Sequence, residues 1–186
     1  MLDKLFTTFT PEDVATLMPY LTRQSAERGT VIIDTGSEDR SLIMLVKGSC
    51  EVYQKFVLAN SLYALRTAGL DAPRMFGETN MLLGDKRQST VIASSEVQLL
   101  TLSYDKFLEM KTKNPDLAMK VLEHIGVELS KRFFGMQKNM LHRLTADAPT
   151  PQTAVAMLRK YVGETHVCSA ALAKKLFNLD QPPYTE

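Results

Sequence analysis

The sequence predicts a mainly β fold, a barrel or sandwich of short strands with helices before and after it. Three observations carry this expectation. Short apolar runs between about Gln24 and Leu102 are separated by turn residues such as Gly29, Gly36 and Gly48. No long helical period interrupts them, which disfavours a parallel, Rossmann-type sheet. Two strong helix starts, Thr10-Pro11-Glu12-Asp13 and Asn114-Pro115-Asp116, bracket the strand region.

In the first helix, Thr10 is suited to cap, Pro11 to take the first helical position, and the acids to complement the positive end. Val14, Leu17, Met18 and Leu21 then recur at helical spacing. The strand region follows. Gly29 to Ile33 ends at Asp34-Thr35-Gly36, and Ser41 to Val46 ends at Lys47-Gly48. Cys50, Val52 and Phe56 share one alternating face, and Leu62 to Leu65, Thr90 to Ala93 and Val97 to Leu102 complete the set.

Ser103 to Lys111 reads as a short helix. From Asn114 a much longer one begins, with Leu122, Ile125, Leu129, Phe133, Met136 and Met140 in one stripe. At about seven turns it exceeds the average helix of ~11 residues. Such a seam packs on its own barrel or on a second copy of itself, and a parallel homodimer is the expectation. Thr145 to Pro151 has a linker's composition. Ala154 to Val162 and Ser169 to Phe177 carry short helical patterns. The expected division is 1–113 for the strand domain, 114–144 for the long helix and 145–186 for a linker and helical extension.

Composition narrows the function classes. Hydrophobic residues make up 45% and charged residues 23%, as in globular proteins. Lys plus Arg number 22 against 21 Asp plus Glu, so no global field draws in nucleic acid or anionic membrane. Cys50 and Cys168 stand far apart, without disulfide or zinc spacing. No signal peptide or membrane span is visible, and a cytoplasmic location is expected. His124, His142 and His166 all lie beyond the strands, so neither a metal site nor an enzyme is expected. No nucleophile elbow is present either.

The most informative stretch runs from Phe76 to Val91. It holds a Gly77-Glu78 pair, a short apolar run, a Gly84-Asp85 turn and Arg87. Glycine lets backbone approach an anion, arginine can grip a phosphate, and a carboxylate can accept from a hydroxyl. These parts could hold a sugar phosphate. They equally describe a surface turn carrying an ion pair.

The segment resembles the phosphate-binding cassette of cyclic-nucleotide-binding domains, as found in sensor domains of the catabolite-activator and FNR type. Phe76-Gly77-Glu78 matches its opening, and Glu78 and Arg87 are nine positions apart, the family's usual spacing. Gly29, Gly36 with the following acids Glu38 and Asp39, Leu42 and Gly48 fall at its turns and core strand. The resemblance implies an antiparallel β-roll with a jelly-roll-like strand arrangement, an N-terminal helix, a long C-helix and a small helical extension. It implies that Glu78 accepts from the ribose 2′-hydroxyl and Arg87 neutralises the cyclic phosphate. Gly77 and the backbone N–H groups of Thr79 and Asn80 would approach the same phosphate, with Gln88 and Ser89 beside it.

Thr79-Asn80 stand where the family more often has Leu-Ala, and Gln88 where a small residue is usual. The Thr or Ser that accompanies cyclic GMP selectivity is absent at that position, which points to cyclic AMP as ligand. Arg132 and Phe133 fall, by ungapped counting, where a base-contacting pair stands in the catabolite activator. Phe133 could stack on a purine or fill a dimer seam.

The expected function is a cyclic-nucleotide sensor that needs no cofactor. It would signal through its long helix, with a protein partner at the C-terminal helices. The rivals are a transcription regulator with a shortened DNA-binding region and a degenerate scaffold that binds nothing. Ser169 to Phe177 is too apolar and weakly basic to read as a recognition helix, so DNA is the less favoured partner.

Overall fold

The computed structural model describes residues 5–58 and 61–146, with 149–150, 152–153 and 156 beyond them. The short helical patterns expected at 154–162 and 169–177 lie outside those residues, apart from position 156.

Helix α1 (Pro11–Leu17) starts as the sequence indicates. Thr10 accepts from the Asp13 amide, and the Asp13 carboxylate answers to the Thr10 amide, a reciprocal capping box. A 3₁₀ turn, Met18–Tyr20, leads into strand β1 (Thr22–Ala26). Strands β2 (Val31–Ile33), β3 (Leu42–Lys47), β4 (Ser49–Leu58), β5 (Ser61–Asp71) and β6 (Arg74–Phe76) follow. A short helix, α2 (Glu78–Leu83), then precedes β7 (Thr90–Ala93) and β8 (Val97–Leu102). Helices α3 (Tyr104–Lys113) and α4 (Pro115–Ala146) end the described chain. The Ser103 side chain caps α3 by accepting from the Lys106 amide.

The strands form two antiparallel four-stranded sheets, ordered β1-β8-β3-β6 and β2-β7-β4-β5. This is the expected β-roll. Between the sheets lies a core of Ile33, Ile43, Leu45, Cys50, Leu70, Phe76, Val91, Ala93, Val97 and Leu99. Strand β3 is buried on both faces, since Leu42 and Met44 are as inaccessible as Ile43 and Leu45. That double burial is why it reads as an unbroken apolar run rather than an alternation. The buried helix residues Leu17, Phe107, Met110, Val121 and Ile125 supply apolar cover outside the inter-sheet core. Burying each such side chain contributes roughly 1.5–3 kcal/mol.

Two strands escaped the sequence reading. Strand β1 is polar (Thr-Arg-Gln-Ser-Ala) and mostly exposed, an edge strand held by its pairing with β8. Strand β6 is only three residues long and pairs with β3. The β4–β5 hairpin runs further than expected, to Asp71, with one irregularity beside Val52.

By compactness the chain divides into Met1–Gly126 and Val127–Glu186. The boundary falls inside α4, so the first turns of the long helix belong with the roll. Those turns carry the buried residues Leu117, Ala118, Val121, His124 and Ile125. In the second unit Phe133, Phe134, Met136 and Met140 are exposed.

Candidate functional site

The site is built by the loop from β6 to β7. Gly77 caps α2 with φ +86, a left-handed conformation that costs an L side chain about 1–2 kcal/mol. A second constraint acts at the same position. A Cβ there would lie 2.7 Å from Arg87 Nη1 and 2.8 Å from the Ser41 carbonyl oxygen. Only glycine lets the arginine pass this close to the backbone. Gly84 ends α2 in the same conformation, its amide donating to the Asn80 carbonyl.

Arg87 is the most deeply buried polar side chain of the protein's described residues, 2% exposed. Its Nη1 donates to the Gly77 carbonyl at 2.9 Å. Its Nη2 donates to Asp39 Oδ2 and to the Ser41 carbonyl, both at 2.6 Å. Backbone bonds pin the same residue: its amide donates to the Ser37 carbonyl, and its own carbonyl accepts from the Gly36 amide. Three of the five guanidinium N–H donors are therefore directed at protein acceptors. Nε is buried and has no hydrogen-bond partner among the described residues.

Asp39 compensates the arginine's charge. Burial pushes its carboxyl up, but the Ser41 hydroxyl and the Arg87 guanidinium together outweigh that and hold it below the ordinary value. The Ser41 hydroxyl lies 2.6 Å from Asp39 Oδ1. Glu78 is buried as well, 4% exposed, immediately after Gly77.

The structure thus brings Gly77 and the buried Arg87 into contact, with the buried Glu78 next to Gly77 in the chain. Asn80 is also buried there, but its side chain has a bracing task. Its Nδ2 donates to the carbonyls of Asp85 and Lys86, closing the turn that delivers Arg87. Thr79 is exposed. Gln88 is exposed too, and its Nε2 donates to the Lys86 carbonyl of its own loop. Ser89 is half-buried just before β7. Arg132 and Phe133 belong to the second unit, where Phe133 meets Phe134 edge-on, ring centroids 5.9 Å apart.

Sequence reasoning missed Asp39 and Ser41 as the partners of Arg87. Asp39 was visible only as an acid following the Gly36 turn. A cavity of about 590 Å³ is lined by Asp39 and Ser41 together with residues of β1, β2, β3 and β8. Glu78 and Arg87 do not line it. Among the described residues no cluster of three or more His, Cys, Asp or Glu could hold a metal ion. No helix among them is long and apolar enough to cross a membrane.

A family model for the cyclic nucleotide-binding domain matches residues 23–114, the whole stretch from β1 to the end of α3. Those residues, just under half of the chain, are what is matched to the cyclic nucleotide-binding domain family. Solved structures agree on the fold. A cyclic nucleotide-binding domain from Methylobacillus flagellatus is similar with a TM-score of 0.68 and 21% identity, over 89% of this chain and 84% of that one. The Thermus thermophilus catabolite activator protein is similar with a TM-score of 0.59 and 19% identity, over 94% of this chain and 98% of that one. Among curated proteins, the rat patatin-like phospholipase domain-containing protein 7 is 26% identical over 104 residues. That match covers 55% of this chain but only 7% of the rat protein.

Proposed function

We propose that this protein is a sensor that binds a cyclic nucleotide, preferably cyclic AMP, in the cassette from Gly77 to Ser89. The observation that carries the reading is Arg87. It is a buried guanidinium fixed by protein acceptors, with an Nε–H donor that has no partner among the described residues. Buried donors are nearly always satisfied, and leaving one unmet costs about 1–3 kcal/mol. A phosphate oxygen would complete it. Glu78, buried beside Gly77, would supply a carboxylate for a ribose hydroxyl, and the Thr79 and Asn80 amides in the first turn of α2 would donate to the phosphate.

Charge narrows the ligand. Asp39 already matches the charge of Arg87, so this pair carries no surplus positive charge. Desolvating a multiply charged phosphate there would be costly. A cyclic monophosphate, with one negative charge, suits it better than a nucleoside triphosphate or a dinucleotide with two phosphates.

Occupancy would reach the rest of the protein as a population shift, favouring the arrangement of roll and α4 in which the ligand gains most contacts. The exposed residues Phe133, Phe134, Met136 and Met140 support a homodimer through α4 as the receiving element. A protein partner at the C-terminal segment is the further expectation, with DNA less favoured.

Calorimetry with cyclic AMP, cyclic GMP and cyclic di-GMP tests the reading. Cyclic AMP should bind saturably and most tightly. Arg87→Ala should weaken it by well over tenfold, since truncating one partner of a buried charged contact costs about 2–5 kcal/mol. Because Arg87 also holds the Asp39 loop, Glu78→Gln provides a gentler variant that keeps the side-chain shape. It should cost about tenfold or more through the lost charged hydrogen bond. Absence of heat with all three nucleotides, from a folded protein, would refute the proposal.

A further inference from the structure

Three consecutive residues of the β2–β3 loop take hold of both halves of the cassette. Asp39 and Ser41 bind Arg87, as described. Arg40, between them, binds α2 and α3 instead. Its Nη2 donates to the Met81 carbonyl at 2.8 Å, within the last turn of α2. Its Cζ lies 3.6 Å from the ring centroid of Tyr104, the first residue of α3. Its guanidinium also covers Gly84, where a Cβ would come within 3.6 Å of it. Arg40 Nε is buried.

We propose that Arg40 is a positioning residue that locks the cassette helix α2 to the start of α3, so that one cannot shift without the other. Its functional meaning rests on the ligand reading above.

The need for such a lock follows from α2 itself. The helix has six residues and a left-handed glycine at each end. A helix that short has no stability of its own and takes its position from tertiary contacts. On one side Met81 is buried, but Leu82 and Leu83 are exposed and anchor nothing. Asn80 ties α2 to the loop that follows it, and the polar anchor to α3 is the arginine on the Met81 carbonyl, a cation at a helix C-terminus, where its charge is favourable. A planar guanidinium can donate in its plane and stack on an aromatic face at the same time. Lysine cannot do both. Because Asp39 and Ser41 share the loop, a displacement of Arg87 by a phosphate would be felt by Arg40 next to them, and through Tyr104 by α3.

Hydrogen exchange on the ligand-free full chain tests the lock without any nucleotide. Arg40→Ala and Tyr104→Leu should each speed exchange of the 78–84 peptide by about tenfold, while β3 and β8 stay protected. Tyr104→Phe, which keeps the ring, should match the parent protein, and Arg40→Lys should fall between. The double variant Arg40→Ala/Tyr104→Leu should be little worse than Arg40→Ala alone, because losing the arginine already removes the stack on Tyr104 together with the Met81 hydrogen bond. Unaltered exchange of 78–84 in Arg40→Ala, or fully additive single effects, would overturn the lock.

The ligand arm is separate. Cyclic AMP should raise protection of α3 in the parent protein and fail to do so in Arg40→Ala, with affinity reduced about five- to twentyfold. If the parent protein binds no cyclic nucleotide, the sensor reading fails and the ligand-free exchange still judges the lock. If it binds and α3 responds equally in Arg40→Ala, the coupling is wrong.

Discussion

At Gly77 two independent requirements meet in one residue. The backbone is left-handed, and the space where a Cβ would sit is already taken by Arg87 and the Ser41 carbonyl. The second obstacle is backbone, which cannot swing aside as a flexible side chain could. Gly77→Ala therefore adds a steric cost to the ~1–2 kcal/mol of left-handed strain, and a loss of at least about 2 kcal/mol is expected. Urea unfolding followed by circular dichroism reads this directly, with the midpoint moving to lower urea. A midpoint within error of the parent protein would show that the loop relaxes freely. The residues that make this point testable were legible because they are local: Phe76, Gly77, Glu78 and Arg87 lie in one short stretch with a fixed spacing. Asp39 was not legible as a partner, because it lies 48 positions from Arg87 and its acid sits in an ordinary turn. The Arg40–Tyr104 stack was hidden for the same reason. No local pattern announces a contact made only by the packing of the loop against two helices.

At the scale of elements, α1 is tied to the first turns of α4 by one ion pair. Lys120 Nζ lies 2.7 and 2.8 Å from the two Asp13 carboxylate oxygens. The Lys120 hydrogen bond, followed by the Thr10 amide, brings the Asp13 carboxyl from 3.8 down to about 2. A carboxyl lowered by folding contributes stability above its unfolded value and loses it as the pH falls through the folded one. The contribution is thus whole above about pH 4 and fades towards pH 2. Asp13→Asn should be less stable than the parent at pH 5, and the gap between the two should close by pH 2. Denaturation midpoints of both proteins at pH 5, 3 and 2 check this, and a gap that stays constant would mean the ion pair contributes nothing. Here the place of Asp13 at the positive end of the helix was visible in Thr10-Pro11-Glu12-Asp13, whereas its reciprocal cap on Thr10 and its role as a cross-link were not. Strand β1 shows the opposite limit. Its residues carry no strand signal, and pairing with the buried β8 decides its conformation.

For the molecule as a whole, α4 sets the open question of assembly, because it begins inside the roll's compact unit and ends in the other. Within the roll its apolar stripe is satisfied, Val121 and Ile125 being fully buried. Beyond Gly126 the stripe continues without cover: Phe133 is 52% exposed, Met136 63% and Met140 44%. Leu129, Phe133, Met136 and Met140 follow one another at steps of four, three and four, the heptad spacing of a left-handed two-helix seam. A second copy of the same helix satisfies that pattern, and the exposed Phe134 and Val127 widen the patch. Sedimentation equilibrium should therefore give the mass of a dimer at micromolar concentration. Met136→Glu/Met140→Glu places like charges at two layers of the seam and should weaken self-association by at least about thirtyfold, from some 1–3 kcal/mol of unfavourable burial at each layer. The thermal unfolding of the roll should stay within a few degrees, since neither methionine lies in its unit. A parent protein that sediments as a monomer at every concentration, or a charged variant that still dimerises, would show that the exposed stripe of α4 has some other partner.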